Sequence, residues 1–242
     1  MNKPQPQMTS NDHEEAQAIA REFQDFAYIV SHYLQAPVRH VREFSRLLLK
    51  SMEDVLSDDQ KSYAGFIESA LRRLDKMHEA LLAYSRIATR AGPPETITPE
   101  TLIADVMKEI KKAGEPDPQL TISRLPPVKA EPQQLRMVFH ALIQNAIRFA
   151  QPGSQPEITI TAETDNSAIL FTVRDNGIGI APQFHKDIFK MFRRLHPPGQ
   201  YGDGPGAGLT LAQKIVERHG GKIWVESQEG GPSAIRFSLP KA

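Results

Sequence analysis

The sequence predicts an α+β protein in which an N-terminal pair of long helices precedes a mixed α/β sandwich. Apolar residues recur three and four apart over the first third of the chain, a proline-rich break follows near residue 92, and the remainder alternates helical and strand-like segments. The expected organisation is a flexible lead-in (1–11), a helical hairpin (12–91), a linker (92–98) and an α/β domain (99–242).

The composition narrows the functional classes before any motif is considered. The chain has 242 residues, with 29 Lys plus Arg and 29 Asp plus Glu, so no net charge draws it to nucleic acid or to an anionic membrane. The absence of cysteine excludes disulfides, thiolate nucleophiles and zinc–thiolate sites. No apolar run approaches the roughly 20 residues that span a bilayer, and no signal-peptide core is visible. We therefore expect a soluble, cytoplasmic chain without a nucleic-acid partner.

The first 90 residues predict a helical hairpin. From residue 14 to Leu48 the apolar positions form a coiled-coil-like seam, with an irregular step at Pro37. The segment 57–60 (SDDQ) has the form of a capping box, and it begins a second helix with heptad spacing from Tyr63 to Ala88. Two helices cannot bury a continuous seam alone, so we expect a homodimer joined through a four-helix bundle. A hairpin packed on the rest of the same chain is the alternative.

The rest of the chain predicts the sandwich. Residues 91–95 (AGPPE) break the helix. Helical periodicity then covers 99–113, 131–150, 182–192 and 207–219, and strand-like runs occur at 120–122, 157–162, 168–173, 222–226 and 234–239. Because the runs near 160 and 170 have hairpin spacing, we expect helices on one face of the sheet and not a doubly wound parallel sheet.

Two glycine clusters predict a nucleotide pocket. They are 175–179 (DNGIG) and 204–209 (GPGAGL). Glycine has no Cβ, so backbone can come close to a base or to phosphates. The carboxylate of Asp175 can accept a hydrogen bond from an exocyclic amine such as adenine N6. An ordinary β-turn is the competing interpretation of the first cluster.

Two further side chains are candidates for chemistry. His32 lies beside the seam of the first helix, before Pro37, which frees a backbone carbonyl and bends the helix. A solvated histidine is the plain alternative. Asn145 lies on the inner part of an otherwise apolar helix, where its carboxamide could bond to a neighbouring loop or give an oxygen to Mg²⁺.

The segment between the glycine clusters is cationic. Lys186, Lys190, Arg193 and Arg194 stand there, with the phenylalanines at 189 and 192 as apolar anchors. Glycines at 199, 202 and 204 would hinge such a segment, so it predicts a lid over phosphates. A solvated basic helix is the alternative.

Together these motifs resemble the sensor histidine kinases of two-component signalling over nearly the whole chain. The segments 31–37, 145–148, 175–179 and 204–209 are similar to the family's phosphoacceptor, asparagine and two glycine boxes, and Phe189 with Phe192 to its phenylalanine box. Residues 194–197 (RLHP) and 216–227 are particularly similar to the transmitter modules of phytochrome-type kinases.

The resemblance implies a dimeric phosphotransfer bundle followed by a Bergerat-type ATP-binding domain, with ATP and Mg²⁺ as cofactors. It implies His32 as the phosphoacceptor, Asn145 as the Mg²⁺ ligand and Asp175 as the partner of adenine N6. The phosphoryl group would pass to an aspartate of a response regulator, and the signal would come from a sensor that is separate or missing from this sequence. The remaining implied ATP-binding residues are Arg148, Gly177, Gly179, Phe189, Arg193, Arg194, Gly204, Gly206, Gly208 and Leu209.

Four sites depart from the family pattern, and two of these departures, Tyr33 and Ala141, favour an alternative function. Tyr33 stands where relatives place Glu or Asp, and a phenol with a pKa of about 10 is a poor base. Ala36 and Ala141 replace polar residues, and the second glycine box contains Pro205 and Ala207. The alternative is a histidine phosphotransferase or pseudokinase whose ATP domain is weakly active or a scaffold. The retained glycines oppose it, because a pocket that never binds nucleotide has no use for them.

Overall fold

The computed structural model describes residues 29, 33–52, 54–89, 92–165, 167–197, 199–202 and 204–241. The chain divides into two compact units, Met1–Arg86 and Ile87–Ala242. The predicted lead-in at 1–11, the first part of the seam and His32 lie outside the described residues. None of the described helices combines the length and apolar character that a membrane crossing requires.

The first unit contains the predicted hairpin. Helix α1 covers residues 33–51, and helix α2 covers Asp58–Thr89. The capping box is confirmed, because Ser57 N–H donates to Gln60 Oε1 (2.8 Å) and Gln60 N–H donates to Ser57 Oγ (3.3 Å). An ion pair of 2.7 Å between Arg42 and Asp75 joins the two helices.

Much of the predicted seam is exposed in the single chain. Phe44 and Tyr63 leave 68% and 62% of their surface accessible. The other exposed seam positions with large apolar side chains are Tyr33, Val41, Leu48, Ile67 and Leu74. The predicted hairpin therefore presents an apolar face, and the homodimer that would cover it stays a prediction.

The second unit is a mixed sheet with helices. Its helices are α3 (Pro99–Lys112), α4 (Pro132–Arg148) and α5 (Gly208–Arg218). The strands are β1 (Glu95–Ile97), β2 (Gln119–Ile122), β3 (Val128–Ala130), β4 (Glu157–Thr164), β5 (Ala168–Asp175), β6 (Ile223–Ser227) and β7 (Ser233–Pro240). The main sheet has the order β2-β4-β5-β7-β6, in which β2 is parallel to β4 and the other pairs are antiparallel.

The core lies between this sheet and the helices. Phe139 of α4 meets Phe171 of β5 and Phe237 of β7 edge-on, with ring centroids 6.0 and 5.8 Å apart. The rings of Phe171 and Phe237 stack at 4.9 Å. Buried and less buried residues alternate along β5, as expected for a strand with one face in the core. The predicted α+β fold class is confirmed.

One local prediction differs from the structure, and one pair of strands was not predicted. The segment 182–192 was expected to be one helix, but it forms two short 3₁₀ turns, Pro182–Phe184 and Asp187–Phe189. Extended backbone at Lys190 (ψ 135°) ends the second turn, and Phe192 has a positive φ of 62°, so no continuous helix reaches residue 192. Strands β1 and β3 pair with each other and were not predicted, since three-residue strands carry too little alternation to be read.

Candidate functional site

One cavity collects the predicted nucleotide-binding residues. It lies among the C-terminal half of α4, the end of β5 and the beginning of α5, and residues 193–196, 201, 202, 204 and 206 contribute a further wall. Only Gly177 and Phe189 of the predicted set are not among its lining residues. The residues that do line it are Asn145, Arg148, Asp175, Gly179, Arg193, Arg194, Gly204, Gly206, Gly208 and Leu209.

Asp175 supplies a partly buried carboxylate. Burial raises the pKa of Asp175, while hydrogen bonds from the backbone of Gly177 and Ser233 act in the opposite direction. The bond from Gly177 N–H is 2.8 Å long. A Cβ on Gly177 would lie 2.6 Å from Asp175 Oδ1 and 2.7 Å from the carbonyl oxygen of Phe149. Gly177 therefore acts by holding the carboxylate and not by lining the cavity.

Asn145 is half-buried at the cavity wall. Its side-chain amide forms no hydrogen bond with another residue in the part of the chain that the structure describes, so the loop-bonding alternative is not observed there. No group of three or more His, Asp or Glu side chains among those residues could hold a metal by itself. A single amide oxygen fits Mg²⁺ that takes its other ligands from phosphates and water.

The Arg148 side chain lies against the backbone at the start of the second glycine cluster. Its Nε would lie 3.4 Å from a Cβ on Gly202, and a Cβ on Gly204 would overlap its guanidinium. The backbone at Gly204 is therefore close enough to the cation that a side chain there would displace it. Arg148 lies three residues after Asn145, so one face of α4 presents an amide and a cation to the cavity.

Two arginines of the predicted lid line the cavity. Arg194 Nη2 donates a hydrogen bond of 2.8 Å to the carbonyl of Gly202. Phe192 N–H donates to the carbonyl of Gly206 at 2.9 Å, and the positive φ of Phe192 turns the chain just before Arg193. The cationic segment is thus tied to the second glycine cluster.

The other two cations of the predicted lid do not line the cavity. Lys186 and Lys190 line a separate groove beside β6, together with Phe189. Lys190 forms an ion pair of 2.6 Å with Asp187, which lowers the pKa of that carboxyl group. Phe189 packs against the core, and its carbonyl accepts a hydrogen bond from Thr210 at the start of α5. Of the four cations in the predicted lid, therefore, only Arg193 and Arg194 line the cavity, and the lid itself stays a prediction.

Sequence reasoning missed an aromatic cluster at the cavity. Tyr201 lies with its ring centroid 4.8 Å from that of His196 and 5.5 Å from that of Phe149. Phe149 follows Asn145 by four positions, which is one turn of α4 and the only sequence signal for its place. Ser233 at the start of β7 was also missed. The apolar lining comprises Leu142, Ala146, Val173, Ile178, Ile180, Ile188, Leu195 and Ile235.

Comparison with known proteins assigns the second unit to a family. Residues 130–242 match the model of the histidine kinase-, DNA gyrase B-, and HSP90-like ATPases. Over 216 residues the chain is 35% identical to phytochrome-like protein Cph1 of Synechocystis sp., an alignment that covers 89% of this chain and 29% of that protein. The chain spans less than one third of the length of the phytochrome relatives that it matches.

Solved structures share the fold. Full-length ShkA in complex with AMPPNP matches with a TM-score of 0.64 and 24% identity, over 90% of this chain and 46% of that chain. Histidine kinase ThkA in complex with response regulator protein TrrA matches with a TM-score of 0.62 and 24% identity, over 98% of this chain and 68% of that chain. At this level of identity, both matches speak for the fold alone.

Proposed function

Since the chain belongs to the sensor histidine kinases through its histidine kinase-, DNA gyrase B-, and HSP90-like ATPase domain, we propose that it autophosphorylates His32 from Mg-ATP. The phosphoryl group then passes to an aspartate of a response regulator, and the chain acts as a homodimer. The observation that carries this proposal is one cavity that brings together Asn145, Asp175 and three arginines.

The chemistry of the cavity walls supports a purine nucleotide. The Asp175 carboxylate would accept a hydrogen bond from adenine N6, and the apolar lining would contact the base. Arg148, Arg193 and Arg194 would pair with phosphate oxygens. Asn145 would hold Mg²⁺, which when bound neutralises phosphate charge during transfer.

The proposed transfer is a displacement at the γ-phosphorus. A neutral imidazole nitrogen of His32 attacks, the bond from the γ-phosphorus to the bridging oxygen breaks, and ADP leaves with the bond electrons. Imidazole is largely neutral at pH 7, so it is a competent nucleophile. Tyr33 is exposed and carries no carboxylate, so the proton lost by the imidazole goes to solvent in this scheme.

Labelling with γ-³²P-ATP tests the acceptor. Wild-type protein should gain acid-labile, alkali-stable label, as expected for phosphohistidine, and His32→Gln should gain none. His40→Gln is a matched control, because His40 is an exposed histidine of helix α1, eight positions after His32 in the sequence. Equal labelling of wild type and His32→Gln would refute the assignment of the acceptor.

The magnesium assignment has a separate test. Asn145→Ala should bind nucleotide in the absence of Mg²⁺ about as well as wild type, but it should lose the gain in affinity that Mg²⁺ provides. Calorimetric titration with AMPPNP, with and without MgCl₂, measures both quantities. Wild-type Mg²⁺ dependence in Asn145→Ala would remove Asn145 from the metal site.

A histidine phosphotransferase or pseudokinase is the second candidate. Tyr33 after the acceptor and Ala141 four residues before Asn145 favour it, since the first position lacks the carboxylate of the family pattern and the second lacks its carboxamide. The two candidates differ in nucleotide binding. If calorimetry detects no binding of an ATP analogue in the presence of Mg²⁺, the phosphotransferase becomes the better proposal.

A further inference from the structure

Three hydrogen-bonding side chains form a row across the sheet at the edge of the cavity. In the strand register Asp175 of β5 is opposite Ser233 of β7, and Ser233 is opposite Ser227 of β6. Residues that are opposite each other on neighbouring strands project from the same face of a sheet. Asp175 and Ser233 line the cavity, whereas Ser227 is not among the lining residues. The proposed function gives Ser227 no role.

The two serine hydroxyls are hydrogen-bonded to each other. Their Oγ atoms lie 2.9 Å apart, so either could be the donor. Ser227 Oγ also accepts the backbone N–H of Ile180 at 2.9 Å. Ser233 is almost fully buried, with 6% of its surface exposed. Its hydroxyl proton can therefore point to Ser227 or into the cavity.

The contacts of Ser227 favour one direction for the hydrogen bond between the two serine hydroxyls. If Ser233 donated to Ser227, the Ser227 proton would meet no other acceptor among the residues that the structure describes. If Ser227 donates to Ser233, the chain from Ile180 N–H through Ser227 to Ser233 runs in one direction and uses every donor. Partly buried polar groups are normally satisfied, and aligned hydrogen bonds strengthen one another. The proton of Ser233 is then left for a ligand in the cavity.

When Ser227 donates to Ser233, the Ser233 hydroxyl becomes a donor next to an acceptor, the Asp175 carboxylate. The Asp175 residue lines the cavity, and an ionised carboxylate can only accept hydrogen bonds, so it supplies an acceptor there. A 6-aminopurine offers an amine donor at C6 beside the acceptor N1. A 6-oxopurine offers an acceptor at C6 beside a donor N1–H, which reverses both bonds. The row therefore matches the first kind of base.

We propose that Ser227 is a positioning residue for base selection. It fixes the hydroxyl of Ser233 as a donor beside Asp175, and the cavity thereby prefers adenine nucleotides to guanine nucleotides. The inference rests on the proposed function, since it assumes that the cavity binds a purine nucleotide. The new element is the role of Ser227, which lies outside the cavity lining and sets the preference for adenine over guanine.

The test compares two nucleotides in calorimetric titrations of the full chain. Wild type should bind Mg-AMPPNP more tightly than Mg-GMPPNP. Ser227→Ala should reduce this preference by about 5- to 10-fold, the value of one net hydrogen bond, while binding of Mg-GMPPNP changes less. Ser227→Thr restores a hydroxyl at this position and should restore the preference.

Ser238→Ala is the matched control. Ser238 Oγ of β7 accepts the backbone N–H of Lys222, the residue before β6, at 3.0 Å. It therefore also links β6 to β7, but at the beginning of β6, whereas Ser227 is at its end. This variant should keep the wild-type preference even if its thermal stability falls. An equal loss of preference in Ser227→Ala and Ser238→Ala would assign the effect to strand pairing and overturn the inference.

The remaining outcomes separate the inference from the function on which it rests. If wild type prefers Mg-AMPPNP and Ser227→Ala keeps the whole preference, the inference fails and the proposed function stands. If wild type binds neither nucleotide, both the inference and the proposed function fail. A loss of preference that Ser227→Thr restores would support the direction of the hydroxyl chain.

Discussion

At the scale of single residues, the cavity depends on a close approach between Gly204 and Arg148. A Cβ at position 204 would overlap the guanidinium, which is the flexible end of a long side chain and can move away. Gly204→Ala should therefore fold normally but displace Arg148 from the cavity. We expect affinity for an ATP analogue to fall about 10-fold, the loss of one charge-assisted hydrogen bond, with little change in Tm.

The control for this variant is Gly231→Ala. Gly231 does not line the cavity, and a Cβ there would make an ordinary contact of 3.7 Å with the carbonyl of Gln228. Its affinity for nucleotide should equal that of wild type. Equal affinity of Gly204→Ala and wild type would show that Arg148 does not contact the nucleotide.

A second prediction at this scale concerns pH. Burial raises the pKa of Asp175, so between the ordinary and the raised value the folded protein holds a proton that the unfolded chain has lost. The stability of the nucleotide-free protein therefore falls as pH rises through this window. Asp175→Asn removes the buried charge and should raise Tm near neutral pH. The gain should disappear below about pH 4, where the carboxyl group is protonated in both states.

Asp165 provides the control of opposite sign. Hydrogen bonds from Ser167 and Ala168 lower the pKa of this exposed carboxyl group. Its contribution to stability is present above the ordinary Asp value and is lost as pH falls through the lowered one. Asp165→Asn should therefore lower Tm at neutral pH. A gain for Asp175→Asn that is constant from pH 4 to 7.5 would contradict the assignment of its cause.

The sequence predicted those cavity residues that belong to short, recognisable motifs. Asp175, Gly179 and Gly204 belong to glycine-rich turns, whose spacing alone indicates a close approach of backbone to a ligand. Ser227 and Ser233 are six residues apart, and only the register of β6 against β7 makes them partners. Short motifs cannot encode a contact that depends on strand pairing.

At the scale of elements, His219 joins the two helices that carry the site. Its Nε2 accepts the backbone N–H of Glu131 (3.0 Å), and Nδ1 lies 2.8 Å from the carbonyl of Ile215, which fixes the neutral tautomer with the proton on Nδ1. The Glu131 side chain caps α4 by accepting the N–H groups of Gln133 and Gln134. The end of α5 therefore holds the beginning of α4.

His219→Ala should lower the free energy of unfolding of the second unit by about 1–3 kcal/mol, because the N–H of Glu131 loses its partner in a partly buried place. Trp224, the single tryptophan of the chain, lies in β6 and reports the unfolding of this unit by fluorescence in urea. The control is His40→Ala, at an exposed position of helix α1. It should change the urea midpoint of unfolding by less than the error of that measurement. An unchanged midpoint for His219→Ala would mean that the bond contributes nothing.

The aromatic cluster gives a prediction for the chain between Arg193 and Gly206. Tyr201 contacts the rings of His196 and Phe149, so it joins the segment to α4. Aromatic pairs contribute about 0.5–1.5 kcal/mol each. Tyr201→Ala should therefore speed proteolytic cleavage within 193–206 and weaken nucleotide binding about 5- to 10-fold, whereas Tyr201→Phe keeps the ring and should behave as wild type. Equal cleavage rates in all three proteins would exclude the cluster as an anchor.

The elements themselves were largely predictable, and the failures share a cause. Helices α3, α4 and α5 and the five strands of the main sheet carry periodic apolar patterns long enough to read. The segment 182–192 also has apolar residues at helical spacing, but Pro182 begins one 3₁₀ turn and the positive φ of Phe192 ends the segment. Spacing shows which residues face the core, and it does not show the local backbone conformation.

At the scale of the whole molecule, the exposed face of the hairpin predicts self-association. The seam positions of α1 and α2 leave large side chains accessible, including Phe44 at 68% and Tyr63 at 62%. Contiguous apolar patches of this kind normally mark an interface, and a symmetric dimer would cover the seam with its own copy. Phe44→Asp should place a charge in that interface and convert the dimer to a monomer in analytical ultracentrifugation.

Arg39→Asp is the matched control for the dimer. Position 39 lies on the face of α1 opposite the seam, so its charge change should leave the sedimentation coefficient unaltered. Nucleotide affinity should be the same in wild type, Phe44→Asp and Arg39→Asp, because every residue that lines the cavity belongs to the second unit. A wild-type chain that sediments as a monomer at micromolar concentration would contradict the dimer. A monomeric Phe44→Asp that has also lost nucleotide binding would show that the two units are not independent.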